Sequence, residues 1–506
     1  MIVLSVFILF TLLLLVYAFR GYSSQLMKYL LKSGAIIMAL VLIIIVTLSL
    51  DINRKDQRKR MACVHLSSMH PGKGYAVHNM YSKVLRASLH GKVLLYPQEW
   101  LYQAFNTDSI TNPHNCFNIA RRIKVDYLIY TEVDSHDTIK YDLKITGYNV
   151  LADSLFFRDH FTIIDLSALD EYIESVHSLL ASIGFNPYEN ILFSLPNRNA
   201  LNAYGRGIYY NLKNDNSRAV HWFALALKED PESSDILISK IAAELKQIQQ
   251  IKMNGKYVQS RYMTIEKKCH DLIISDSSRS EPYYFLGYLH LLQKHFTLSA
   301  SWLKRAYLLD PDNPEILVLL SRFHRDRFKE LGFNSKEALL NRAVDLYPAY
   351  ERAWVALAEL AINKNDFKKA EKVYKRLLNY VPSSMDGLFG LGNLYQRQKR
   401  FKAMIQIYQR ILEIKPHDPD AYYNLGIAYY NLDKQDEAID FFQRALEGNS
   451  HLNAHYYLGL IYSGIDKKQA IYHFRQRIIN KTGADDLFAE ESRKRLVKLL
   501  GEKESL

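Results

Sequence analysis

The segment "HPGKG" at 70–74 places a Gly-Lys pair where a phosphate-binding loop carries its lysine. That chemistry needs a glycine five residues before the pair and a hydroxyl after the lysine to hold magnesium. Ser67 and Gly74 stand at those two places, so the stretch reads as a turn. "HNC" puts His114 near Cys116, yet no neighbouring side chain orients the two as a base and its nucleophile. Cys63, Cys116 and Cys269 lie far apart with no C-x-x-C pair, which supports neither a zinc ribbon nor a thioredoxin-type centre. Neither H-E-x-x-H nor G-x-S-x-G occurs. These residues point away from an enzyme, and no cofactor or metal is expected.

The residues that remain are aromatic, and they recur. "AYYNLGIAYYNLDKQDEAIDFFQRAL", from Ala421 to Leu446, repeats an arrangement found upstream. Pro348, Pro382 and Pro416 are spaced by 34 residues. Before Pro382 come Trp354, Leu357, Ala358, Ala370 and Tyr374; before Pro416 come Leu388, Leu391, Gly392, Tyr395 and Tyr408. Tyr422, Leu425, Gly426, Tyr429, Ala438, Phe442 and Ala445 fall at the same offsets. A small residue such as Gly392 lets the first helix of a unit approach the second. The aromatic at Tyr408 or Phe442 fills the space beside that pair, and the proline ends the second helix because it lacks an N–H.

Over about Ala200 to Asn480 the chain resembles the tetratricopeptide repeat family, in which helical hairpins of about 34 residues stack into a solenoid. The units read as 200–233, a long degenerate unit at 234–279, 280–313, 314–350 with three extra residues, 351–384, 385–418, 419–451, and a last one from Leu452 that is one residue short. That makes about eight units over 200–480. The charged amphipathic segment 484–506 is suited to capping the open end. The fold class is therefore mainly α.

The resemblance implies a groove lined by the first helices at positions 2, 5, 9, 12 and 13 of each unit. Carried over, these give Tyr204, Tyr284, Tyr288, Phe389, Asn393, Arg397, Tyr423, Tyr430 and Asn431 as partner-binding residues. Aromatic anchors among amide and guanidinium donors suit a peptide or helix from a partner protein. Tyr429 takes a packing position, against Tyr423 in the groove. The basic clamp of chaperone-binding relatives is incomplete, because no lysines face Asn393 and Arg397.

The amino-terminal end is built for a different solvent. Residues 1–19 and 33–50 carry no charge. At about 1.5 Å per residue such runs cross most of a ~30 Å hydrocarbon core, so 1–50 reads as a two-helix anchor, with helices over about 2–19 and 33–50. The competing reading of the first run is a cleaved leader, but it lacks a basic start and is followed by a second run. Arg20, Lys28 and Lys32 lie between the helices; Arg54, Lys55, Arg58, Lys59 and Arg60 follow in the basic segment 51–60. Five against three leans toward a cytoplasmic soluble part at an inner membrane, crossed more than once.

Between anchor and repeats, 61–186 alternates strand-like and helix-like runs: "MACVHLSS", "KVLLYP", "PHNCFNIARRIK", then three β-rich runs and a closing helix. This is the pattern of a small α/β layer. The stretch from "IARRIKVDYLIY" to "FTIIDLSAL" looks like the amino-terminal domain of TolB and its relatives. Those relatives commonly place it outside the cytoplasm, opposite to the charge count. Net charge is +12, but the cations are spread over helix faces without a nucleic-acid motif, so no nucleic acid is expected. Two functions fit: a membrane-anchored scaffold holding a protein or peptide partner in its groove, or a regulatory subunit whose α/β domain binds a signal and relays it to a separate effector.

Overall fold

The computed structural model describes residues 59–65, 85, 93–95, 113–135, 141–163, 169–183, 198–250, 255–447, 451–483 and 485–501. The two apolar runs at 2–19 and 33–50 lie outside these, as do residues 51–58. Among the described residues no helix is long and apolar enough to cross a membrane.

The first described elements form a five-stranded sheet. Its strands are β1 (Lys59–His65), β2 (Val93–Leu95), β3 (Tyr127–Ser135), β4 (Tyr141–Asn149) and β5 (Ser154–Ile163), in the order β2-β1-β3-β4-β5. β1 runs parallel to β2 and β3, with Met61 opposite Tyr127, while β3, β4 and β5 form an antiparallel meander. Helices α1 (Pro113–Arg122) and α2 (Leu169–Ser182) accompany it. Along β3, Leu128 and Tyr130 join Cys116 and Ala120 of α1, and Ile123 of the turn after it, in a core continuous with that of the repeats. The alternate residues Ile129 and Thr131 are buried as well, so both faces of this strand are covered. Lys59 and Arg60, counted with the basic segment in the sequence, belong to β1. The Arg60 amide donates to Asp126 at 2.7 Å, and its guanidinium donates to the Asp345 carbonyl at 2.8 Å.

The remaining helices pair in sequence order. They are α3 (Arg198–Leu212) with α4 (Asn216–Glu229), α5 (Ser234–Gln250) with α6 (Gly255–Ser275), and α7 (Glu281–Leu292) with α8 (Phe296–Leu309). Next come α9 (Pro314–Leu320) with α10 (Lys336–Leu346), α11 (Glu351–Asn363) with α12 (Phe367–Tyr380), and α13 (Met385–Arg397) with α14 (Phe401–Ile414). Then follow α15 (Pro419–Asn431) with α16 (Gln435–Ala445), α17 (Ala454–Tyr462) with α18 (Lys467–Ile479), and a last helix α19 (Leu487–Leu500).

Two local devices recur. The tip of the hairpin holds a left-handed residue, Asn365, Lys399 or Asp433, at φ 58, 56 and 58, again 34 residues apart. Inside the hairpin, a Cβ on Gly426 would sit 2.6 Å from the Phe442 ring, and one on Gly392 2.7 Å from the Tyr408 ring. The aromatic therefore occupies the volume that a side chain would need. Between consecutive hairpins, the first helices touch one another more closely than the second helices do. The first helices thus form the inner rank and the second helices the outer rank of the stack.

The far end is held by a buried ion pair. The Arg477 guanidinium, 1% exposed, donates to both carboxylate oxygens of Asp486 at 2.6 and 2.7 Å, and to Asn453 Oδ1 at 3.0 Å. Asp486 also caps α19 through the Ala489 amide at 3.1 Å. Burial opposes its charge, but Arg477 and the Thr482 and Ala489 amides hold the carboxyl far below the usual carboxylate range. Beside it, the Nδ1 atoms of His455 and His473 lie 2.9 Å apart in a buried contact, with Tyr462 stacked on His473 and Arg477 near His455. One ring must donate and the other accept, so the acceptor is neutral and at most one of the two can be charged. Burial and then His455 push His473 down to about 4, and burial and then Arg477 lower His455.

Asp486→Asn is expected to destabilise the carboxy-terminal repeat by about 3 kcal/mol or more, because it leaves Arg477 buried without its counter-charge; an unchanged denaturant midpoint would contradict this. The histidines set a separate pH window. Both folded values lie below the unfolded value of about 6.5, so the unfolded chain gains more protons as pH falls. Melting temperature should hold above about pH 6.5 and fall toward pH 4, with His473→Gln flattening the decline.

Candidate functional site

The hairpin of 314–350 is irregular, and a cleft opens there. Helix α9 stops after 7 residues where α11 has 13. The chain then makes two single 3-10 turns, Arg325–Arg327 and Lys329–Leu331, and reverses at Gly332, whose φ of 85 no branched side chain adopts comfortably. The shortened helix leaves a cleft of about 370 Å3. Arg322 and Ser321 enter it from the end of α9, Arg352, Glu359 and Asn363 from α11, and Asp386 from the start of α13.

Tyr284 and Tyr288 border this cluster from α7, with ring planes 1° apart and centroids at 6.2 Å. Burial and then Glu315 hold the Tyr284 phenol well above its ordinary value, and burial raises that of Tyr288 against the pull of Arg352 and Arg322. Burial also opposes charge on Arg352, but Tyr350, Glu315, Tyr284 and Tyr288 outweigh it and keep the guanidinium protonated. Two arginines, an amide and carboxylates thus line the cleft, backed by two parallel rings of which that of Tyr288 is as buried as Tyr423. Such a surface can bind and orient a peptide by hydrogen bonds and aromatic contact. It carries no nucleophile–base pair, and among the described residues no group of histidine, cysteine and carboxylate side chains is placed to hold a metal.

The other residues expected in the groove lie elsewhere on the inner helices. Asn393 and Arg397 are exposed on α13, where Asn393 Oδ1 accepts from the Tyr408 hydroxyl at 2.9 Å. Phe389 is half-buried, edge-on to Tyr408. Tyr430 is half-buried against Tyr457, and the exposed Asn431 donates to the Ile427 carbonyl of its own helix at 2.8 Å. Tyr204 is 2% exposed, packed on Phe223. Tyr423 is 8% exposed, stacked on His451 at 3.7 Å and flanked by Phe442 and Tyr457. Tyr429, assigned the packing role, is the less buried of the two: half-buried, it stacks on Phe441 with the Lys434 ammonium over its ring. Tyr284 and Tyr288 are the expected residues that pack behind the cleft, beside Arg352.

Two family models of the tetratricopeptide repeat match residues 391–454 and 355–419. Residues 355–454 are tetratricopeptide repeats. The two matches overlap and together span 355–454. No curated protein matches the chain. Solved structures similar to it include MamA, at 24% identity over 33% of this chain and 90% of that one with a TM-score of 0.28. YrrB, described as a TPR protein with an unusual peptide-binding site, aligns at 20% identity over 38% and 99% with a TM-score of 0.30. The human IFIT1 dimer with m7Gppp-AAAA aligns at 18% over 65% and 77%, with a TM-score of 0.38. The repeats make this chain a protein-interaction scaffold.

The family offsets also find the residues that the sequence reading passed over. Applied to 314–350 and 351–384, positions 2, 5 and 9 give Glu315, Val318 and Arg322, then Arg352, Val355 and Glu359, all at the cleft or facing its tyrosines.

Tyr423→Ala should cost about 3–5 kcal/mol of stability, as truncation of a buried aromatic does. Asn431→Ala should stay within about 0.5 kcal/mol. Equal melting of the two variants would mean that Tyr423 is not a packing residue.

Proposed function

We propose that this chain is a membrane-anchored scaffold that holds a segment of a partner protein on its inner face, at the cleft beside α9. The observation that carries this reading is the convergence of Tyr284, Tyr288, Arg322, Arg352 and Glu359 from the first helices of three consecutive repeats. Aromatic and arginine side chains are the types that dominate binding energy at protein interfaces. The mixed charge of the cleft favours a segment presenting both a carboxylate and a donor. Function on this reading is binding, without catalysis. The charge-free runs at 1–19 and 33–50 supply the anchor, and with it an inner-membrane location.

A second reading has its own support. Arg60 of the α/β layer donates to the Asp345 carbonyl at the end of α10, and Lys124 stands over the Tyr380 ring at the end of α12. A signal bound by the layer would thus have a mechanical route into the repeats that form the cleft, as a regulatory subunit requires.

The decisive experiment places a photo-crosslinking residue at Ala356 in the full chain in native membranes. The partner captured there should be lost when Arg352→Glu is added, with binding weakened by about 30-fold or more and melting unchanged. Undiminished capture by that variant would remove the cleft from the reading. Carbonate-resistant membrane association of the full chain tests the anchor; full extraction would overturn it.

A further inference from the structure

The charges of the inner cleft are sorted along the stack. Arg322 at the end of α9, Lys336 at the start of α10 and Arg352 at the start of α11 bring three cations; Glu359 of α11 and Asp386 at the start of α13 bring two carboxylates. Arg322, Glu359 and Asp386 are exposed, and none of the five forms an ion pair among the described residues. Two of the cations belong to the irregular hairpin of 314–350, and Asp386 belongs to the hairpin two places further on. Helix α11 supplies one charge of each sign, and there Arg352 and Glu359 are seven residues, or about 10 Å, apart along the axis. The buried rings behind the two ends meet opposite charges. Burial raises the Tyr288 phenol, and Arg352 and then Arg322 oppose it, with Glu315 behind Arg352 and outside the cleft lining. Burial raises Tyr374 of α12 to about 12, with Glu359 and Asp386 adding to the rise and Arg397 opposing it.

On the footing that this cleft is the partner surface, we propose that it reads the order of charges in the bound segment. An acidic side chain of the partner sits over α9 and the start of α10, and a basic side chain sits over α13, about 10 Å away at the spacing of packed helices. Arg322 and Lys336 are then the residues that select the acid, and Glu359 and Asp386 those that select the base. A segment laid the other way round brings like charges together at both ends. A uniformly acidic or uniformly basic segment satisfies one end and is repelled at the other, so the cleft discriminates by repulsion as well as by attraction. The same five residues intermixed would select on net charge alone. Sorted, they also fix the direction in which the partner crosses the repeats.

The test uses the full chain in detergent and two flexible decapeptides of glycine and serine. Each carries one aspartate and one lysine three residues apart, a separation that an extended chain carries across about 10 Å. One peptide has benzoylphenylalanine beside the aspartate, the other beside the lysine, and mass spectrometry reads the sites of photo-labelling. Label beside the aspartate should fall on α9 and the start of α10, and label beside the lysine on α13, each exceeding the opposite end by about tenfold or more, because like charges brought together are strongly repelled. Exchanging the ends with Arg322→Glu, Lys336→Glu, Glu359→Lys and Asp386→Lys should invert both patterns. Should that fourfold variant melt early, Arg322→Glu with Lys336→Glu alone should remove the aspartate-side label from the cleft. Labelling of the cleft that ignores which charge lies beside the photo-group would overturn the sorting and leave the cleft as the partner surface. Absence of label from the cleft with either peptide would overturn both.

Discussion

The hairpins close because a ring on the second helix fills the volume that a Cβ would take on the first. Phe442 against Gly426 and Tyr408 against Gly392 bring the two backbones of a repeat into near contact. Everything that stacks depends on that distance, because it sets the tilt at which one hairpin meets the next. First helices of consecutive hairpins touch one another, and the outer helices lie farther apart. An apolar face that one hairpin cannot cover alone becomes a continuous core from Ala200 to Ile461.

Where the interlock is interrupted, surface appears that a regular array would not have. The unit at 314–350 has no glycine at the interlock position, and α9 ends after two turns. The chain spends its extra residues on two 3-10 turns. Arg322 is thereby freed from helical neighbours to face Arg352 and Glu359. On α12 of the outer rank, a carboxylate is engaged within the chain. Burial opposes charge on Glu371, but Lys375, Arg400 and Tyr395 hold its carboxyl down to about 2. That acid is thus committed to Lys375, Arg400 and Tyr395.

The repeats were legible in sequence because the interlock needs fixed residue types at fixed offsets, and 34-residue spacing carries through Pro348, Pro382 and Pro416. Strand β3 was legible for a similar reason: a strand covered on both faces shows as the unbroken apolar run "YLIY". The inner-face residues were legible only in part. Offsets tell which way a side chain leaves its helix, and not what arrives to meet it. Tyr423 points toward the inner side, yet His451, from the turn after α16, lies flat on its ring. Arg322 sits in the irregular unit 314–350 and Arg352 in the regular unit 351–384; groove positions were carried over from neither, although the same offsets hold in both. Arg60 could not be read from its run of basic neighbours, since its acceptor is a backbone carbonyl 285 residues away.

The placement of positive charge has a common logic that only the fold exposes. Carbonyls at the end of a helix lack partners within it and carry the negative end of its dipole. Arg60 supplies a donor at the end of α10, Lys124 stands at the end of α12, and Arg410 donates to the Pro382 carbonyl just beyond that helix at 2.5 Å. Trp354 does the same for Pro348 with its indole, at 2.9 Å. Cations and donors therefore gather at the seams between repeats, where they satisfy backbone and fix the stacking. Arg376 of α12 joins the same seam from the side, its guanidinium held over the Trp354 ring 5.1 Å from the centroid, so a cation there packs the donor that satisfies Pro348.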